Sequence, residues 1–195
     1  MWFVIHRNCD KDREQLVKNL QAVLNCTVFE GIDGTTLQHP NKHPWEGTTT
    51  AGNLGNTVSH VTILQQAIKN QMETVGILED DAVIEGNIIS FINTVPQDWD
   101  MLYLGTNEIV NGFLLENCYR VYRAWGSHAV LLKPKAMNAV LATYEQSLRD
   151  GIGLPADWLY NRAIQLFDLK AYCPIINLIE QKKGLVSLAT GNIRS

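Results

Sequence analysis

Three consecutive carboxylates, Glu79, Asp80 and Asp81, close the apolar run in TVGILEDDA (74–82). Residues 74–79 are predicted as a buried strand, so the acids fall at a carboxyl end, where α/β sheets gather ligands. Two carboxylates from one short loop suit a hard divalent cation, Mg²⁺ or Mn²⁺, which takes oxygen ligands and keeps water or substrate phosphate. A solvated acidic turn with Asp81 capping the next helix suits the same residues. Pattern alone leaves both readings open. GNLGNTVSH (52–60) is glycine-rich ahead of a helix, where backbone amides can meet phosphate oxygens. It matches neither GxGxxG nor GxxxxGK(S/T), so the phosphate signal is weak and the pattern favours Gly52 and Gly55 only shaping a loop. His60 belongs to a residue type that more often packs or caps than reacts. Asp157 in LPADWLY sits in the first turn of a predicted helix. There it is either a charge favoured by the macrodipole or a general base facing an acceptor hydroxyl.

The elements that would position these residues alternate. WFVIH (2–6) is predicted as a buried strand, followed by a helix capped by Asp10 or Asp12 and running to about Leu24. CTVFEGIDG (26–34) reads as a second strand and glycine turn, and 35–56 as a long surface loop. A helix capped by Asn56 or Thr57 precedes the strand 74–79, and a short helix follows near 87–94. Strands are expected at 99–105, 117–124 and 127–133. Helices opening on Pro134 and Pro155 come next, then a last strand in KAYCPIINLI and a polar tail. This order predicts one α/β domain over 1–195 with a largely parallel sheet.

Bulk properties narrow the function. A chain of 195 residues with 46% hydrophobic content supports a sizeable core, and a net charge of −4 names no partner. No basic stripe supports nucleic-acid binding. Cys9, Cys26, Cys118 and Cys173 show no CxxC spacing, which argues against a zinc cluster and fits reduced thiols in a cytosol. The N-terminal apolar stretch is too short for a signal peptide or membrane span. The chain thus reads as a complete, soluble, intracellular protein.

Taken in order, several blocks resemble glycosyltransferase family 25, which includes bacterial lipooligosaccharide galactosyltransferases and collagen galactosyltransferases. FVIHRNCDKDR resembles the family's opening strand, polar loop and arginine, here Arg13. FEGIDGTTL resembles its second strand and A-x-D-G turn. GNLGNTVSHVTILQQAI is similar to the G-x-x-G-C-x-x-S-H helix entry, and ILEDDAVI to the L-E-D-D strand end. WDMLYLG, GSHAVLLKPKAMNAVL and PADWLY follow as the later blocks do. Asn56 stands where cysteine is common, Ile5-His6 replaces an N-L pair, and SHAVLL lacks the tyrosine of A-Y-L. The chain is also short enough to lack an acceptor-binding extension. These departures bear on donor and acceptor identity more than on reaction type.

The resemblance implies a GT-A-like fold with a mostly parallel central sheet and inverting transfer of a hexose, such as galactose, from a UDP-sugar to a glycan acceptor such as a lipooligosaccharide. It implies Mn²⁺ or Mg²⁺ held by Glu79 and Asp81, with Asp80 at the donor, and Asp157 as catalytic base. Val4, His6, Arg7, Arg13, Asp33 and Gly34 would lie near the nucleotide, with Ser59 and His60 beside the donor pocket. The setting would be cytoplasmic, at the inner membrane face if the acceptor is lipid-linked. The rival readings are a non-catalytic nucleotide-sugar or glycan-binding module and another metal-dependent phosphate enzyme.

Overall fold

A computed structural model describes residues 1–43 and 47–185; positions 44–46 of the expected long loop and the expected tail from 186 lie outside the described residues. In chain order the first elements are β1 (Trp2–His6), α1 (Glu14–Leu24), β2 (Thr27–Glu30), β3 (Lys42–His43), β4 (Gly47–Thr48) and α2 (Ala51–Lys69). Next come β5 (Val75–Glu79), β6 (Ala82–Ile84), α3 (Ile88–Thr94), β7 (Met101–Tyr103), β8 (Glu108–Leu114) and β9 (Cys118–Trp125). β10 (Ala129–Leu132), α4 (Pro134–Arg149), α5 (Ala156–Leu166), β11 (Ala171–Pro174) and β12 (Ile179–Gln181) complete the described chain.

Eight strands form one sheet in the order β2-β1-β5-β10-β7-β11-β9-β8. The α/β class is as expected, and the sheet is mixed. β1–β2, β1–β5 and β7–β11 pair in parallel. β5–β10, β7–β10, β9–β11 and β8–β9 pair antiparallel. The parallel expectation came from helices between strands, and it holds in the β2-β1-β5 half. Beyond β5, β10 follows β9 directly and inserts antiparallel between β5 and β7.

Strand alternation divides the core between the two faces of the sheet. Phe3, Ile5, Val75, Ile77, Val130 and Leu132 pack on one face with residues of α2, α4 and α5. Val4, Leu78, Ala129 and Leu131 pack on the other with Val17 and Leu20 of α1 and Phe91 of α3. β1 runs into α1 and β2 on one side, and the chain then returns through α2 to β5 on the other. β1 is therefore a topological switch point, where open sheets leave a crevice beyond the strand ends.

The helix expected from Asn56 or Thr57 begins earlier, at Ala51. Thr50 caps it, its side chain accepting from the Asn53 amide at 3.2 Å. The glycine-rich run is thus helical rather than a loop ahead of a helix, and close packing accounts for its glycines. A Cβ on Gly55 would lie 2.3 Å from Ile32 O and 2.7 Å from Gly34 N; one on Gly34 would lie 1.8 Å from Ala51 O. The Asp33-Gly34 turn and the first turns of α2 meet backbone to backbone.

Candidate active site

A cleft of about 220 Å³ opens at the switch point, beyond the carboxyl ends of β1 and β5. One wall is the turn after β2, from Gly31 to Thr35; the other carries Glu79 and Asp80. Three sequence features build the first wall. Asp33 accepts from the Thr35 amide at 2.9 Å and the Thr35 hydroxyl at 2.8 Å, and both bonds hold its carboxyl below the ordinary value. Ser59 Oγ accepts from Ile32 N at 2.9 Å and donates to Gly55 O at 2.8 Å, tying the turn to α2. The Gly34–Gly55 contact closes the interlock.

The floor is basic. His6 ends β1, Arg7 follows it directly, and Arg13 reaches in from the turn before α1. Arg7 grips Asp10 with both arms, Nε to Oδ2 at 2.9 Å and a second nitrogen to Oδ1 at 3.0 Å. Burial pushes the Asp10 carboxyl up, but Arg7's hydrogen bonds and charge outweigh it, so the carboxyl stays below its ordinary value. Arg13, 3% exposed, bonds Asp80 and lies 3.4 Å from Asp81 Oδ2. Burial opposes the Arg13 charge, and the two aspartates more than restore it, raising its pKa above the ordinary value. His6 Nδ1 sits 2.9 Å from Asp80 Oδ2.

The three acids part company here. Glu79 and Asp80 line the cleft. Glu79 accepts from Asn56 Nδ2 and Ser127 Oγ, both at 3.0 Å, and from Gln181 Nε2 at 3.2 Å. Asp81 is 0% exposed, faces Arg13 rather than the cleft, and accepts at its backbone oxygen from Lys182 N. The strand ends at Glu79 and a turn follows, so strict strand alternation no longer sets which way the next two acids point. Among the described residues no three His, Cys, Asp or Glu side chains gather round one point. The donor chemistry of Glu79 and Asp80 nevertheless fits Mg²⁺ or Mn²⁺, which takes one or two carboxylates and fills its shell with substrate phosphate and water.

Of the other expected site residues, His6, Arg7, Arg13, Asp33, Gly34 and Ser59 converge on the cleft. Val4 is buried under α1 and belongs to the core. His60 is fully buried between α2 and α5, its Nδ1 2.7 Å from the Tyr160 hydroxyl. Burial lowers its pKa to about 4 against the opposing pull of Glu79, and it is not among the residues lining the cleft.

Asp157 stands apart from the cleft lining. Its Oδ1 accepts from Trp158 N at 2.8 Å, and its Oδ2 lies 3.5 Å from Gly126 N. Burial raises its carboxyl above the ordinary value, partly offset by those backbone bonds, with Glu79's charge adding to the rise. Gly126, at φ +97°, turns the chain from Trp125 to Ser127, so two consecutive residues, Gly126 and Ser127, link Asp157 to Glu79. Sequence reasoning missed Asn56, Ser127, Gln181 and Asn161. Asn161 clamps α5 to β9, accepting from Ala124 N at 2.9 Å and donating to Ala124 O at 2.8 Å. A polar residue on an apolar helix face was the available signal for Asn161.

Comparison with known proteins places this geometry. The family model for glycosyltransferase family 25 (LPS biosynthesis protein) matches residues 2–146, which include every residue lining the cleft. No curated protein matches the chain. A solved glycosyltransferase involved in glycosylating the major capsid of PBCV-1 is 12% identical over 75% of this chain, with TM-score 0.42, and the present chain spans 65% of its length. A197 from STIV is 13% identical, covering 100% of this chain and 93% of its own, with TM-score 0.45. A nucleoside-diphosphate-sugar pyrophosphorylase from Vibrio cholerae RC9 is 15% identical over 93% of this chain and 76% of its own, with TM-score 0.44. These likenesses are too loose to add to the argument, whereas the family match spans most of the chain and both walls of the cleft. The chain belongs to glycosyltransferase family 25.

Proposed function

We propose that the cleft binds a nucleoside-diphosphate sugar, UDP-galactose as the working donor, and that the enzyme transfers the hexose with inversion to a glycan acceptor in the manner of a lipooligosaccharide. The observation that carries this reading is the convergence of Arg7, Arg13, Asp33, Glu79 and Asp80 at the switch point. Asp33 and the turn around it offer hydrogen-bond acceptors and backbone to a nucleoside. Arg7, partly exposed at the cleft, would meet a diphosphate, while Arg13 balances the charge of Asp80 and Asp81 beneath it. Glu79 and Asp80 would hold Mn²⁺ or Mg²⁺ together with the diphosphate, the ion neutralising charge that grows on the leaving group. Asp81, behind Arg13, keeps that guanidinium oriented.

Asp157 is the proposed base. Its Oδ2 lies 3.5 Å from the amide of Gly126, next in the chain to the Ser127 that bonds Glu79, and its raised pKa suits a group that must accept a proton from an acceptor hydroxyl. Inversion needs that attack to come from the face opposite the leaving diphosphate. The fold is read as GT-A-like and as one domain. No described helix is long and apolar enough to cross a membrane, and we place the enzyme in the cytoplasm, at the inner membrane face for a lipid-linked acceptor.

A panel of nucleotide sugars, with and without Mn²⁺, tests the reading through nucleoside diphosphate release and thermal shift. One donor should raise the melting temperature and release nucleoside diphosphate. Binding with no release under any acceptor would favour a non-catalytic module, and pyrophosphate or free phosphate would favour a different phosphate enzyme.

A further inference from the structure

Beyond Asp157 the chain builds a cluster that the donor reading does not use. Arg123 and Trp125 share one face of β9 by strand alternation, and Trp158 follows Asp157 on α5. The two indoles lie 5.2 Å apart at 42°. The Arg123 guanidinium sits 4.5 Å from the Trp125 ring centre and 5.0 Å from that of Trp158. His43 meets Trp158 edge-on at 5.2 Å. The Asn161 clamp on Ala124 holds this part of β9 against α5.

The Arg123 guanidinium is held in place yet forms no hydrogen bond or ion pair with a described residue. The other described arginines all reach an acceptor. Arg7 reaches Asp10, Arg13 reaches Asp80, and Arg120 reaches the carbonyls of Leu169 and Ala171. Arg149 reaches Glu145, and Arg162 reaches Asp150. In the register of β8 the residue opposite Arg123 is Asn111, which brings no charge. Arg123 and both indoles are partly exposed. A guanidinium pinned by cation–π contacts loses little freedom on binding, and its planar fork matches a carboxylate or phosphate. Indole faces beside it suit the C–H face of a pyranose.

We infer that Arg123, Trp125 and Trp158 form an acceptor subsite for a sugar carrying an anionic group, a carboxylate or a phosphate. This rests on the reading of Asp157 as the base facing the acceptor. Arg123 grips the anion, the indoles carry the ring, and the neighbouring hydroxyl is left toward Asp157, one residue from Trp158. No bond is made or broken at this subsite; it sets which acceptor is presented.

Calorimetric titration of the whole chain with glucose, glucuronic acid and glucose 6-phosphate tests the inference, with UDP as a separate ligand. At least one charged sugar should bind about tenfold or more tightly than glucose, the worth of a charge-assisted hydrogen bond. Arg123→Gln should abolish that preference and leave UDP affinity unchanged, and Arg123→Lys should keep only part of it. The lysine variant serves alone if the glutamine variant fails to fold. A charged sugar that binds through Arg123 while UDP does not bind at all supports the subsite and sinks the donor reading instead. Equal binding of charged and neutral sugars overturns the inference, as does a preference that survives Arg123→Gln. Displacement of the charged sugar by UDP also overturns it, because Arg123 would then belong to the donor site.

Discussion

Replacing Arg13 by methionine should be among the most destabilising single changes in this protein. Arg13, Asp80 and Asp81 are 3%, 5% and 0% exposed, so removing the guanidinium leaves two buried carboxylates without their cation. For the 3.4 Å contact with Asp81 alone, Coulomb's law at an effective dielectric of about 20 gives roughly 5 kcal/mol of attraction. Desolvation of the arginine offsets part of this, and breaking a buried pair by removing one partner costs about 3–5 kcal/mol. At roughly 2–4 °C per kcal/mol for a chain of this size, the melting temperature should fall by about 6–20 °C. Urea unfolding at pH 7 on Arg13→Met, Asp81→Asn and the double variant closes the cycle. The double variant should recover part of the loss, because one uncompensated charge is gone. A loss under about 1 kcal/mol for Arg13→Met, or strict additivity in the cycle, would refute the view that Arg13 neutralises the acids.

Other outcomes follow from single contacts. Gly55→Ala should cost about 1–3 kcal/mol by overpacking against the Ile32 and Gly34 backbone, read as a lower urea midpoint, and should weaken UDP binding by moving the Asp33 turn. His60 titrates near 4 when folded and near 6.5 when unfolded. Its contribution is therefore present above about pH 6.5 and lost as pH falls toward 4, roughly 3 kcal/mol in all, and a His60→Asn variant should lack that part of the acid-side slope. Asp157 has a raised folded pKa, so its stabilising share exists only at low pH and is lost as pH rises through that value. Asp157→Asn should accordingly melt higher than wild type at pH 7 and about equally at pH 3. Cys9 is exposed, whereas burial pushes the Cys173 thiol up to about 12. A thiol reagent at pH 8 should label Cys9 quickly in the folded protein and Cys173 only on unfolding.

Much of the frame was legible in the residues because the apolar periods are clean. WFVIH and TVGILE alternate into two cores, and the helices after Pro134 and Pro155 open where those prolines stand. The acid cluster at the end of β5 was visible for the same reason. Which acid faces the cleft was not, because the strand stops at Glu79 and the turn reorients Asp80 and Asp81. β8 escaped notice: EIVNGFL is an exposed edge strand with register shifts around Asn111, so it shows no alternation to read. The start of α2 was hidden by its glycines, which lower helix propensity and are present for a backbone contact distant in sequence. Arg123 gave no signal at all, since its aromatic partners come from two elements brought together only by the fold.

The central claim is that this cleft delivers a sugar from a nucleotide donor to an acceptor activated by Asp157. Its most direct test is UDP release from UDP-galactose and its relatives in the presence of Mn²⁺, measured beside donor binding for wild type and Asp157→Asn. The account predicts that wild type releases UDP, and that Asp157→Asn binds the donor as well but turns over at least about a hundredfold more slowly, the lower range for loss of a general base. Release unaffected by the substitution, or no release from any nucleotide sugar, would contradict it.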